Sequence, residues 1–231
     1  YDASGREVRR RRTKITHEFT SGGDGESTID ADQIVDEIRS AIQKVLKGFS
    51  EPISAIGLDT FASSLVPVDA NGDALGPCIT YADTRCRKQV ASLRGMVDEE
   101  ALHDRTGARI HSSYMAPRLL WLREEHPEIH RKAARYMALG EYLAHRLLGE
   151  AAIGTAGAAW GGMVDRRTGE YVPELVDIAQ VDADSLGRPR DPSDGVAVAG
   201  SPLARLVPQL DGAIWVPVVG DGLTANIGIG A

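Results

Sequence analysis

An α/β fold with a helical insertion near residues 95 to 150 is the architecture predicted for this 231-residue chain. Apolar β-forming runs at 53–58 and 214–219 alternate with helical patterns such as Ile34, Val35, Ile38, Ile42, Val45 and Leu46, the signature of a sheet covered by helices. Both runs end in a polar or glycine-rich turn, the place where α/β folds collect ligand groups. Between about 95 and 150 the patterns are mostly helical, and neither an internal repeat nor a clear linker divides the chain.

Bulk properties narrow the function. With 26 Lys plus Arg against 33 Asp plus Glu, the formal charge is −7, which disfavours nucleic acid and anionic membranes as partners. Cys78 and Cys86 are the only cysteines and form no Cys-x-x-Cys motif, so no disulfide framework or zinc site is implied and no metal ligand set is expected. With no signal peptide and no apolar run of membrane length, a cytoplasmic location is expected.

Taken in order, residues 1–5 read as a hairpin turn and 6–18 as a strand with alternating side chains, Arg9 to Arg12 forming a solvated edge. Asp30 is the expected N-cap of a helix ending at Gly48. The run 53–58 reads as a buried strand leading into the polar loop of Asp59, Thr60, Phe61, Ala62, Ser63 and Ser64. A hairpin follows, with 65–68 and 75–80 flanking Asn71-Gly72. Asp69, Asn71 and Asp73 alternate as in a calcium loop, but Ala74 and Thr80 stand where such a loop needs Gly and Glu.

Tyr81-Ala-Asp-Thr-Arg85 closes the hairpin and brings a phenol, a carboxylate and a guanidinium to one element boundary. The plain structural reading makes Asp83 an N-cap and Arg85 a surface residue. Helices are expected over 98–106, 114–125 and 141–148, with a short strand at 136–139. His126 and His130 have a metal-like spacing, yet Pro127 marks a helix start between them and a surface role fits better. Residues 151–163 are rich in Gly and Ala, so backbone packs closely or approaches a ligand there. A turn at 165–170, a helix at 173–180, a loop-rich stretch at 182–200 containing Pro189 and Pro192, and a helix capped by Ser201 complete the series.

The run 214–219 then feeds Gly220-Asp-Gly222, an acid on a glycine-flanked turn that opens a helix. Asp221 reads either as a helix cap or as a catalytic carboxylate. Gly220, Gly222 and Ala225 also satisfy a loose dinucleotide fingerprint, which would make the protein an oxidoreductase. Against that, a carboxylate in the turn repels the pyrophosphate that the helix end should attract.

The stretch Gly220-Asp-Gly-Leu-Thr-Ala-Asn-Ile-Gly-Ile-Gly230 resembles the Gly-Asp motif of the FGGY carbohydrate kinases, most closely their gluconate kinase branch. Tyr81-Ala-Asp-Thr-Arg85 is similar to that branch's Trp-Ala-Asp-Thr-Arg. Thr106-Gly107 followed by Pro117-Arg-Leu-Leu-Trp-Leu122 resembles the family's Thr-Gly and Lys-x-x-Trp-Leu region. Asp24, Asp30, Gly149, Asp165 and Thr168-Gly169 also fall where the family has them.

The resemblance implies a ribonuclease H-like (actin-like ATPase) domain with a helical insertion. Residues 1–231 would be the family's sugar-binding first domain, truncated at both ends and without its Asp-x-Gly-Thr strand, so that the fragment alone would be inactive. It further implies a kinase using ATP and Mg2+ on a sugar or sugar acid, such as gluconate or a ketopentose-like polyol, and it allows a homodimer. Asp221 would be the catalytic base, with Asp83, Arg85, Tyr81, Ser63 and Phe61 at the substrate and Gly220 and Gly222 at the nucleotide. The departures concern specificity: Ala62 and Ser63 replace a common Trp and His, Tyr81 replaces a Trp, and Gly154 and Ala156 replace a common Asp and Ser. A non-catalytic sugar-binding module on the same fold is the alternative.

Overall fold

The computed structural model describes residues 1–191 and 193–230, so Pro192 of the expected loop lies outside the described residues. The first turn forms as expected, with the Asp2 carboxylate accepting from the N–H groups of Ser4 and Arg6. Residues 6–18 form no strand. Their alternation is real, but no neighbouring backbone pairs with them, and Arg11 instead donates to the carbonyls of Val45 and Lys47 at the end of the following helix. The first ladder joins β1 (Thr20–Ser21) and β2 (Ser27–Ile29).

Asp30 caps α1 (Ala31–Leu46) by accepting from the N–H groups of Asp32 and Gln33, which satisfies donors that a helix start leaves free. The expected buried strand at 53–58 is reduced to β3 (Ala55–Ile56) and β4 (Asp59–Thr60), and Ile53, Ile56 and Leu58 are only partly buried. The cause is pairing: β3 is an edge strand, so only one of its edges is paired.

The hairpin turns at Gly72, whose φ of 87° suits a residue without Cβ. Its arms are β5 (Val66–Val68) and β6 (Cys78–Ile79). The Asp69 carboxylate accepts from the N–H groups of Asn71 and Asp73, a turn-closing use. Cys78 and Cys86 are buried free thiols, pushed up to about 12 and about 11 by burial, which makes them poor nucleophiles.

Helices α2 (Arg87–Arg94), α3 (Glu99–Thr106), α4 (Met115–Glu125) and α5 (Pro127–Lys132) come next. The strand expected at 136–139 is β7 (Arg135–Met137), which pairs antiparallel with β5; Leu139 already belongs to α6 (Leu139–Leu148). Gly140 lets α6 lie against the chain that leads to the last turn, because a Cβ there would sit 2.6 Å from Val218 Cβ. Next come β8 (Ile153–Gly154), α7 (Thr155–Ala159), α8 (Pro173–Ala179) and β9 (Pro189–Arg190). They are followed by β10 (Val196–Ala197) and α9 (Pro202–Leu206). The strand expected at 214–219 is split into β11 (Ile214–Trp215) and β12 (Val219–Gly220) across Pro217, which has no N–H for a ladder.

β11 runs parallel to β3, and β12 parallel to β4. Two neighbouring parallel strand paths therefore end together, one in the 59–64 loop and the other in α10 (Asp221–Gly228). One core cluster joins α1, α6 and α9 to these strands through Val35, Leu143, Leu203 and Trp215. A second gathers Leu93, Leu119, Leu120, Val172 and Leu175 from the helices on the other side. No helix among the described residues is long and apolar enough to cross a membrane.

Candidate functional site

A cleft of about 320 Å³ opens where the parallel strands end, lined by Ala62, Ser63, Tyr81, His111, Ser113, Tyr114, Trp160, Asp221 and Gly222. Asp221 occupies the first position of α10, and the cap position before it belongs to Gly220. Its side-chain hydrogen bond is to the adjacent Gly222 N–H at 2.8 Å. The carboxylate is exposed to the cleft, as a proton acceptor must be. Beside it, Thr224 Oγ1 donates to Asp59 Oδ2 at 2.9 Å and stitches the start of α10 to the end of β4. Gly220 is buried against the 59–64 loop, since a Cβ on it would come within 3.1 Å of Ala62 Cβ.

Ser63 takes a left-handed backbone, φ 56°, a conformation uncommon for a residue with a side chain. Two bonds hold it there: its hydroxyl donates to Trp160 O at 2.8 Å, and its carbonyl accepts from Arg118 Nη1 at 2.6 Å. Arg118 is 1% exposed. It also donates from Nε to Ser112 O at 2.9 Å and from Nη2 to Thr80 O. One guanidinium thus ties together the backbone of three segments that reach the cleft at Ser63, Tyr81 and Ser113. Burial pulls its proton affinity down to about 10, opposed by Asp83 and the two thiols, so it stays a cation at neutral pH.

Asp83 and Arg85 are placed elsewhere. Asp83 is 2% exposed; its Oδ2 accepts from the Ser27 N–H at 3.0 Å and from Arg85 Nη2 at 2.8 Å. Arg85 also reaches Glu26 and lies over the Trp121 ring at 4.6 Å. Neither lines the cleft, and the N-cap of α2 is Cys86, not Asp83. The pair braces the turn that presents Tyr81. Phe61 packs behind the cleft with its ring 6.1 Å from Tyr81.

His111, Ser113, Tyr114 and Trp160 were not among the residues expected from sequence. Ser113-Tyr114 sits just before the Pro117 to Leu122 motif, and Trp160 is the lone aromatic residue in the Gly and Ala rich stretch; those positions were the available signals. Gly161 and Gly162 let that stretch pack on α4, since a Cβ on Gly162 would meet Tyr114 at 2.9 Å.

Glu141, 2% exposed, lies below the 59–64 loop. Its Oε1 accepts from Arg135 at 2.9 Å, while Oε2 has no partner among the described residues. Burial outweighs Arg135 and pushes its pKa from 4.5 up to about 7. The unfolded chain therefore releases this proton first, and the contribution of Glu141 to stability falls as pH rises from about 4.5 to about 7. Glu141→Gln should flatten that part of the profile and exceed the wild type at pH 8 by about 1–3 kcal/mol. Urea midpoints measured from pH 4.5 to 8 check this; an unchanged slope would show that Glu141 titrates as it does in the unfolded chain.

Solved sugar kinases share this fold, which is that of an actin-like α/β domain. The ligand-bound xylulose kinase from Lactobacillus acidophilus superposes with a TM-score of 0.88 at 21% identity, over 94% of this chain and 44% of that one. The chain belongs to the FGGY family of carbohydrate kinases: residues 1–228 match that family's N-terminal domain. Among curated relatives, the autoinducer-2 kinase of Enterobacter sp. (strain 638) is 34% identical over 137 residues, 58% of this chain and 26% of its own length. The gluconokinase of Bacillus licheniformis is 27% identical over 207 residues, 87% of this chain and 40% of its own length. The chain thus spans less than half of each of these relatives.

Proposed function

We propose that this domain binds the sugar in an ATP-dependent carbohydrate kinase and supplies its base. The reaction would pass the γ-phosphoryl group of MgATP to a hydroxyl of a sugar or sugar acid, gluconate or a ketopentose-like polyol. The observation that carries this reading is the placement of Asp221, whose carboxylate faces a cleft of about 320 Å³ and, among the described residues, is hydrogen-bonded only to its neighbour's N–H. Asp221 takes the proton of the reacting hydroxyl, the freed oxygen bonds to the γ-phosphorus, and ADP leaves with the bridging electron pair. Such transfer is mostly positioning and electrostatics, with the base orienting the nucleophile.

Each remaining site residue has a physical role in this scheme. Tyr81 and Ser63 contact the sugar, Phe61 backs Tyr81, and Asp83 with Arg85 hold the turn that carries Tyr81. Gly220 and Gly222 put no side chain in the way where the nucleotide's phosphates would approach the Asp221 turn. Among the described residues no cluster of three or more metal-ligating side chains forms. Magnesium would enter with the nucleotide, and Asp59, bonded to Thr224 at the start of α10, would be the carboxylate nearest to it besides the base. In the domain scheme, residues 1–231 are the sugar-binding domain and the helices near 95–150 its insertion.

The test is ADP release by the complete gene product with MgATP and a panel of ketoses, polyols and aldonic acids. Sugar-dependent turnover on at least one member is expected. Absence of turnover on all of them would remove the kinase assignment.

A further inference from the structure

The cleft contains a carboxylate and no Lys or Arg among its lining residues. Its walls are Tyr81, Tyr114 and Trp160, with Ser63, Ser113 and His111 as the polar groups. The arginines nearest the cleft are committed elsewhere. Arg118 gives its donors to backbone carbonyls. Arg85 is held by Asp83, Glu26 and the Trp121 face. Arg87 bonds Asp24 O, and Arg94 pairs with Glu99 and bonds Ile110 O. Arg109 is exposed and stands outside the lining.

His111 is oriented by its neighbours: Nδ1 accepts from the Ser113 N–H at 3.2 Å, which leaves Nε2 to meet a hydroxyl. Ser113 Oγ donates to Tyr81 O at 2.7 Å and lies 3.0 Å from His111 Nδ1, so towards the cleft it offers a lone pair. The donors and acceptors are therefore those of a hydroxyl-rich, uncharged molecule, and the aromatic walls suit its C–H faces. A sugar acid would bring a second negative charge beside Asp221 with no guanidinium among the described lining residues to receive it, an arrangement that costs binding.

We propose that this cleft selects an uncharged ketose or polyol over sugar acids. The proposal rests on the kinase reading of the same site and narrows its substrate class. The experiment compares xylulose, ribulose, glycerol and erythritol with gluconate on the complete gene product, by kcat/KM with MgATP and by calorimetric binding without it. A neutral member should exceed gluconate by on the order of 100-fold in kcat/KM, the scale of one unrelieved like-charge contact at intermediate dielectric. Arg109→Ala should leave that preference unchanged.

Gluconate as the best substrate, or a preference for gluconate that disappears in Arg109→Ala, overturns the proposal while leaving the kinase assignment standing. If nothing is phosphorylated, the kinase assignment falls and binding decides this one. A neutral member binding more tightly than gluconate upholds it; tighter gluconate, or no binding by any neutral member, overturns it.

Discussion

Asp221→Asn in the complete gene product is expected to lower kcat for sugar phosphorylation by about 10²–10⁴-fold while sugar affinity stays within about tenfold. The substitution isolates the proton acceptor from its surroundings. Asn keeps the shape and an oxygen that can accept from the Gly222 N–H, the bond the carboxylate makes now. The helix start is also preserved, because Gly220 and not Asp221 holds the cap position. What disappears is the basicity that takes up the hydroxyl proton as the oxygen attacks. Steady-state rates together with calorimetric sugar binding separate the two effects. A variant with the wild-type rate would reduce Asp221 to a residue in the first turn of a helix.

Arg118→Met should produce the largest loss of stability, about 2–4 kcal/mol. Met fills much of the volume but donates nothing, so the Arg118 bonds to Ser63, Thr80 and Ser112 carbonyls are all lost. Ser63 O and Ser112 O are affected most: Thr80 O keeps the Asp83 N–H as donor, whereas Ser112 O keeps only the Cys86 thiol. The left-handed backbone of Ser63 then loses one of its two anchors. In a domain of this size the melting temperature should fall by about 5–15 °C, and sugar affinity should weaken as the three wall segments loosen. Arg118→Lys should recover only part of both, since one ammonium cannot serve a fork of carbonyls on three segments. Thermal unfolding followed by circular dichroism gives the first number; a shift below about 2 °C for the Met variant would show that the carbonyls find other donors.

Helix boundaries were largely legible in the chain because their causes are local. Asp30, Asp98 and Ser201 each accept from N–H groups two or three residues on. Gly107 and Gly149 end their helices in the left-handed conformation that lacks a Cβ penalty. Strands were less legible. Residues 6–18 carry the alternation of a strand yet make no ladder, and 53–58 and 214–219 shrink to two-residue pieces, because a strand exists only through a partner that its own residues do not specify.

The candidate site divides in the same way. Asp221 between two glycines, at the end of an apolar run, could be singled out from sequence, because a strand-to-helix turn is a local arrangement. The neighbours Asp83 and Arg85 looked like a ligand-binding pair, but two residues of separation also allow a bidentate bond to each other, and the fold supplied Ser27, Glu26 and Trp121 to complete it. Nothing near position 118 announces that its guanidinium will meet carbonyls from residues 63, 80 and 112.

By itself, then, the sequence determined the family, the helix ends and the acid on its turn, all of which rest on short-range patterns. Only the tertiary structure decided which side chains share the cleft with that acid, and that Arg118 and Arg85 are tied up in scaffolding. Those outcomes depend on contacts between residues tens of positions apart, where burial sets the value of every charge and hydrogen bond.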